Sequence, residues 1–309
     1  MVEFKKSTPA EDRPKPTFSV CMVTYARDHL APQAVAQVAK ASGGRRDVEF
    51  ILVDNNPDTV DRSTWLALFE RWSYVKLGLN KGVPARNDGA AAAEGEFIVF
   101  VDDDAFLNPV GAFDVYEAAF AQNPKAAIVT ARHRDAETGE TPRASFPHTN
   151  KSLPKDKPFK TFRFQGNGFA MRRSAFAAIG PMSEEFFYGL EEIDYAFRVI
   201  DAGYEIMYEP RCWVFEHNDP GGRKPKRAVE EMRLTNKLII TYKYLPWRYV
   251  PFNAALFSAY VTYLNRGRIN VPKALWKFGV WVARHGDRRK PISREAMKYI
   301  EACGGQAWK

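Results

Sequence analysis

Cysteine is scarce. Cys21, Cys212 and Cys303 are far apart in 309 residues and form no CxxC pair. Neither a disulfide framework nor a thiolate zinc site is available, and a reducing compartment suits such a chain. The opening MVEFKKSTPAEDRPKP has no apolar core of the signal-peptide kind and reads as a polar, disordered tail over residues 1–16. No apolar run reaches the roughly 20 residues that a spanning helix needs. The longest, residues 250–264, contains Pro251 and Asn253 and is followed by Arg266 and Arg268. GxGxxG and GxxxxGK(S/T) are both missing, which argues against nicotinamide and P-loop nucleotide sites. There is no internal repeat, zinc-ligand spacing or RNA-recognition signature to carry nucleic-acid binding. The expectation is a cytoplasmic protein, or one peripheral on the inner face of the cell membrane.

What is present is core-forming material. The chain is 45% hydrophobic, with 22 Phe, 13 Tyr and 7 Trp, which excludes wholesale disorder. Its net charge of +8 is unevenly spread. Residues 223–309 hold 19 Lys and Arg against 5 Asp and Glu, whereas residues 1–222 are net acidic. This asymmetry suggests an anionic partner for the C-terminal part, or simply a solvated basic face.

Short runs rich in Val, Ile and Phe read as buried parallel strands at Phe18–Thr24, Val48–Asp54, 74–79 and 97–101. Helical segments at 29–41, 62–72 and 83–94 separate them. This alternation predicts an α/β fold with a doubly wound, mostly parallel sheet whose ligands bind at the carboxyl ends of the strands. The domain expectation is a catalytic domain over 17–222, with a nucleotide-binding half (17–104) and an acceptor half (105–222). A basic, aromatic, helical region (223–309) follows.

Polar clusters stand where three of these strands end. Asp102, Asp103 and Asp104 repel one another and call for a hard divalent cation with oxygen ligands. Extended-chain alternation would aim Asp102 and Asp104 one way and Asp103 the other. Thr24, Tyr25 and Arg27 follow the first strand, and Asp54, Asn55 and Asn56 the second. Tyr25 can stack on a base, Asp54 can accept from a base N–H, and Arg27 can meet a phosphate; turn and cap roles compete for each. The stretch 80–89, with Lys81, Gly82 and Arg86, opens the third helix, where phosphate is favoured. Downstream, Glu191, Glu192 and Asp194 cluster at a helix start, either as an ordinary acidic N-terminus or as a general base. His217 is a candidate metal ligand or a structural histidine.

In their order, these pieces resemble the family 2 glycosyltransferases of GT-A fold over roughly residues 17–245. VTYAR, VDNNPD, NKGVPARNDGAAAAEGEFIVFVDDD, GNGFAMRRSAFAAIGPMSEEFFYGLEEIDYAFRVIDAGYEI and EPRCWVFEH are similar to the family's successive motifs. EEMRLTNKLIITYKYLP resembles the Arg-x-x-Asn helix of members acting on lipid-linked or polysaccharide acceptors.

The resemblance implies an inverting, metal-dependent transfer from a nucleotide diphosphate sugar to a hydroxyl of a glycan or lipid-linked acceptor. Asp104 and His217 would hold Mn²⁺ or Mg²⁺, and Asp102, with Asp103 beside it, would meet the donor's ribose. Thr24, Tyr25, Arg27, Asp54, Asn56, Gly82 and Arg86 would line the nucleotide-sugar site, Asp54 favouring UDP. Gly168 and Asp194 would belong to the acceptor site. Glu192 would be the base; it stands where the family usually has Asp, which makes Glu191 a competitor. A sugar-phosphate nucleotidyltransferase is the alternative enzyme, and a nucleic-acid-binding protein using the basic C-terminal region the non-enzymatic alternative. An amphipathic pattern over 273–284 fits either a membrane interface or packing on the catalytic domain.

Overall fold

The computed structural model describes residues 2–7, 15–217, 219, 221–222 and 224–305. Its centre is a ten-stranded sheet. Strands β1 (Glu3–Lys6), β2 (Phe18–Thr24), β3 (Val48–Asp54), β4 (Trp72–Lys76) and β5 (Phe97–Phe100) form one half. The other half holds β6 (Ala105–Asn108), β7 (Ala126–Asp135), β8 (Phe159–Thr161), β9 (Phe169–Arg172) and β10 (Glu205–Glu216). The spatial order is β1-β4-β3-β2-β5-β9-β7-β10-β6, with β8 also on β10. β4, β3, β2 and β5 run parallel, and so do β7 and β10. Antiparallel β9 stitches the two parallel blocks together.

Nearly every residue of β2 and β3 is buried, because helices cover both faces. On one face α1 (Ala31–Ala41) and α3 (Ala112–Gln122) pack Val35, Val38, Phe113 and Phe120 against Val20, Phe50 and Val99. On the other lie α2 (Ala85–Ala92), α4 (Arg173–Ile179) and α5 (Glu191–Asp201). The doubly wound expectation therefore holds, as do the bounds of β2 and β3.

Two local expectations fail. Residues 62–72 form no α-helix: a single 3₁₀ segment, Ser63–Leu68, precedes β4, which already begins at Trp72. At the head of this stretch Arg62 is held by Asp28, Asp54 and Asp58. The tail expected over 1–16 is also ordered in part. Glu3–Lys6 pairs antiparallel with β4, closing an otherwise bare sheet edge. Residues 1 and 8–14 lie outside the described residues.

The C-terminal region does not stand apart. Helix α6 (Lys226–Tyr244), α8 (Val271–His285) and α9 (Arg294–Ala302) contribute Ile239, Trp281 and Ile300 to the same core as Ile98, Phe169 and Tyr195. Most of the stripe expected on α8 points inward: Ala274 and Trp281 are buried and Phe278 and Val282 pack on the core, whereas Leu275 is exposed. Helix α7 (Tyr249–Leu264) is different, for it leaves Phe252, Leu256, Tyr260, Tyr263 and Leu264 exposed.

Candidate active site

The polar ends of β2, β3 and β5 meet at one rim of the sheet, as their parallel order requires. Two adjoining cavities of about 140 and 150 Å³ share Tyr25, Arg27, Asp102, Phe187 and Tyr188. The first adds Asn55, Asn80, Gly82, Arg86 and Asp103; the second adds Asp104, Glu216 and Lys224. Tyr25 and Asn56 also border an open depression with Pro57 and Asp58.

Beyond β5 the chain turns, so strand alternation does not govern the three aspartates. Asp103 and Asp104 both face Arg27, at 2.6 and 3.0 Å. Asp103 also accepts from the backbone N–H of Tyr25. Asp102 turns the other way, to Arg86 at 2.7 Å. Burial and the neighbouring Asp102 push the Asp104 carboxyl up to about 7, against the pull of Arg27. Burial likewise raises Asp103. The turn is short of positive charge, with Glu216 adding to the deficit at Asp104.

Arg86 is buried on the first turn of α2 and links two parts of the site. One Nη binds Asp102, and the other lies 3.7 Å from Glu191. The approach to α2 requires glycine: Gly82 has φ +69°, and a Cβ there would sit 2.2 Å from the Phe187 carbonyl oxygen. Lys81 is drawn aside by Asp88 at 2.8 Å, so Arg86 is the cation of this stretch that borders the cavity.

Glu191 is buried with Oε2 lacking a hydrogen-bond partner. Burial and the adjacent Glu192 push it up to about 8. Glu192 is half-buried on the first turn of α5 and faces the charge of Arg163. Asn236 of α6 secures the preceding loop by donating to the carbonyls of Gly189 and Tyr188 at 2.6 and 3.2 Å. The Arg-x-x-Asn helix thus positions the acidic turn.

Five expected site residues have other occupations. Asp54 is fully buried, and both its oxygens are taken by Tyr74, Asn56, Lys76 and Arg62. Its partners outweigh burial and hold its carboxyl below the usual range. It builds the turn after β3, and its oxygens are already engaged within the protein. Thr24 is buried in the sheet and borders neither cavity. Gly168 is wedged against Val214, and its backbone joins β5 and β7; it serves packing. Asp194 is fully buried among Ser183, Lys243 and Tyr244, and ties α5 to α6. The His217 ring packs on Phe106 at 4.3 Å, and only its backbone N–H reaches the Asp104 carbonyl. Among the described residues, no three His, Cys, Asp or Glu side chains gather as a metal shell.

Sequence reasoning missed Glu216, Lys224 and Asn167. Glu216 stands next to the favoured His217, and Lys224 was counted only as general basic charge. Asn167 lies within the GNG motif, beside Gly168; its Oδ1 accepts from the Asp102 N–H.

Residues 19–180 match the family described as Glycosyl transferase family 2. Over 176 residues the chain is 27% identical to the pre-mycofactocin glycosyltransferase of Mycobacterium tuberculosis, covering 51% of this chain and 37% of that relative. The match thus spans little more than a third of the relative's length. Among solved structures, GalNAc-T7 with UDP, GalNAc and Mn²⁺ superposes with a TM-score of 0.59 at 16% identity, covering 90% of this chain and 60% of that one. A Pyrobaculum calidifontis mannosyltransferase with GDP-Man and Mn²⁺ gives 0.56 at 18% identity, covering 96% and 81%.

Proposed function

The chain belongs to glycosyl transferase family 2, and from that premise we propose that it transfers a sugar from a nucleoside diphosphate donor to a hydroxyl of a glycan or lipid-linked acceptor, with inversion. The observation that carries this reading is one rim joining a cation-seeking carboxylate turn, Asp102 to Asp104, to an acidic helix start, Glu191 and Glu192, through Arg86. The glycosyltransferases of similar fold with UDP or GDP-Man support a donor of that class.

The residues present fit a divalent cation. Four carboxylates (Asp102, Asp103, Asp104 and Glu216) lie near one another with Arg27 and Lys224 as cations, and burial with the neighbouring carboxylates pushes Asp104 up to about 7. Asp104 would hold Mn²⁺ or Mg²⁺ together with the donor's own phosphate oxygens, since no three side chains among the described residues form a shell by themselves. Such a cation, when bound, offsets the charge of the departing diphosphate.

The chain's own residues supply the rest. Tyr25 and Asn56 border the depression suited to the base. Lys224 and Arg27 offer positive charge where the diphosphate would lie. Glu192, on the first turn of α5, would take the acceptor's proton as the new glycosidic bond forms and the bond to diphosphate breaks. Glu191, tied to Arg86, keeps that turn in register with Asp102. The test is the shift in melting temperature with UDP or GDP, with and without Mn²⁺. A rise of several degrees that needs the metal supports the site; a shift with oligonucleotide alone would favour nucleic-acid binding instead.

A peripheral membrane location also has support. Phe252, Leu256, Tyr260 and Tyr263 fall on one exposed face of α7, Tyr263 at 82% exposure. Trp247, Trp276, Arg248, Arg266, Arg268, Lys273 and Lys277 are also exposed in the stretch 247–277. Aromatic rings with a basic surround suit the interface of an anionic leaflet. No helix among the described residues is long and apolar enough to cross a membrane.

A further inference from the structure

Arg27 spans the two carboxylates of the acidic turn that burial pushes upward, Asp103 and Asp104. It follows β2 at the rim of the sheet, and its side chain is only 14% exposed. Nη1 donates to Asp103 at 2.6 Å, and Nη2 lies 3.0 Å from Asp104. The second Asp103 oxygen accepts from the Tyr25 N–H. One guanidinium thus stands against the oxygens that a metal ion would seek.

The local backbone holds this aim. Ala26 has φ +54°, a left-handed conformation uncommon outside glycine, and its N–H donates to Asn56 Oδ1 at 2.8 Å. Across Arg27 lies part of the segment that follows β10. A Cβ on Gly222 would sit 2.5 Å from the Tyr25 carbonyl oxygen, and one on Gly221 2.9 Å from that of Ala26. Glycine lets the segment lie this close. Asp219 of the same segment accepts from the Gly221 N–H at 2.6 Å and meets His29 Nε2 at 2.9 Å. Its carbonyl accepts from Arg27 Nη2 at 3.3 Å. Arg27 Nε is buried without a hydrogen-bond partner and lies 3.6 Å from Asp219 Oδ1. A shift of roughly 0.5 Å toward Asp219 would complete that bond, and it would loosen the hold on Asp103 and Asp104.

We propose that Arg27 is the resident counter-ion of the metal-free site, and that a divalent cation enters as Arg27 moves over to Asp219 and the donor's diphosphate. A divalent cation and a guanidinium repel each other at this range and seek the same oxygens, so they compete for the turn. Diphosphate replaces what Arg27 loses by leaving, since phosphate oxygens match its planar fork. Cation and nucleotide therefore load as a pair, and Arg27 neutralises the turn when both are absent. The diphosphate half rests on the transferase reading; the competition between Arg27 and a metal ion does not.

The test is calorimetric titration of the full chain with Mn²⁺, first without nucleotide and then with saturating UDP or GDP. The parent is compared with Arg27→Met and with Lys224→Met. Lys224 is a cation of the same cavity, but it packs over the Phe187 ring at 4.5 Å. Without nucleotide, Arg27→Met is expected to bind Mn²⁺ at least tenfold more tightly than the parent, and Lys224→Met within threefold of it. Adding Asp104→Ala to Arg27→Met removes the gain. The factor by which nucleotide tightens Mn²⁺ binding is at least tenfold smaller in Arg27→Met than in the parent. Arg27→Gln repeats the comparison with a side chain that keeps part of the hydrogen bonding, and circular dichroism checks that each variant is folded. Mn²⁺ binding to Arg27→Met and Arg27→Gln no tighter than to the parent would overturn the proposal. So would an equal gain in Lys224→Met, which would reduce Arg27 to background charge, or a gain that survives Asp104→Ala. If Mn²⁺ alone behaves as described but neither UDP nor GDP binds with any metal, the competition stands and the transferase reading falls.

Discussion

Arg86 donates to Asp102 at 2.7 Å while its second Nη lies 3.7 Å from Glu191. One buried guanidinium therefore fixes the carboxylate turn after β5 relative to the first turn of α5. Removing it leaves the buried Glu191 carboxyl and the partly exposed Asp102 without the cation between them. Arg86→Met should cost about 1.5–3 kcal/mol of stability, the scale for a hydrogen bond to a charged group. Urea unfolding measures this. Transfer by the folded fraction should fall by ~10², as expected when reacting groups lose register.

Glu191 and Glu192 should separate by their responses. Glu192→Gln should lower kcat by ~10² or more with donor affinity retained. Glu191 has its folded pKa raised to about 8 from an ordinary 4.5. The stability tied to its proton is full below pH 4.5 and is lost as pH rises through about 8. Glu191→Gln should flatten that decline and raise Tm at pH 8 by about 2 °C or more. Thermal unfolding of both variants from pH 5 to 8.5 checks this. A larger kcat loss in Glu191→Gln would make Glu191 the base.

Asp54 should behave as a structural anion. Asp54→Asn leaves Lys76 and Arg62 without their buried carboxylate, and should destabilise by about 3–5 kcal/mol. Donor affinity of the folded variant should stay within twofold. The parent's folded pKa is depressed below 3.8, so this contribution is present above that pH and lost as pH falls below it. Acid unfolding followed by circular dichroism should show the parent's steep loss below pH 3.8 missing from the variant. A tenfold weaker donor affinity without loss of stability would return Asp54 to the nucleotide site.

Much of this was legible in the sequence, for identifiable reasons. β2 and β3 are buried on both faces, so their unbroken apolar runs gave their limits. The rim position of Tyr25, Arg27, Arg86 and Asp102 followed from parallel strand order. What was not legible depends on partners distant in sequence. Asp54 is claimed by Tyr74 and Lys76 of the next strand, and Asp194 by Lys243 and Tyr244 some fifty residues on. A short motif does not show whether a carboxylate's oxygens are already taken. The turn at Asp103 defeated the alternation rule because the strand had ended at Phe100. The stripe on α8 has the same periodicity whether it meets lipid or protein; the buried Trp281 decides for protein.

Membrane association should reside in α7. Co-sedimentation with anionic vesicles at low salt should bind the chain, and high salt or neutral vesicles should release most of it, since each basic residue near the surface adds about 1 kcal/mol that salt screens. Tyr260→Glu with Tyr263→Glu should reduce binding at least tenfold without lowering Tm. Negligible binding to both vesicle types at low salt would remove the membrane reading.

The central claim is metal-assisted transfer from a nucleotide sugar at Asp104. The most direct measurement is nucleotide release from UDP- and GDP-sugars by the parent and by Asp104→Ala, with Mn²⁺, with Mg²⁺ and with chelator. The account predicts release from at least one donor that requires the metal. It also predicts loss of that release in Asp104→Ala with an unchanged or slightly higher Tm, because the substitution relieves carboxylate repulsion at Asp102 and Asp103. Release at the parent's rate from Asp104→Ala, or equal release with chelator, would contradict it.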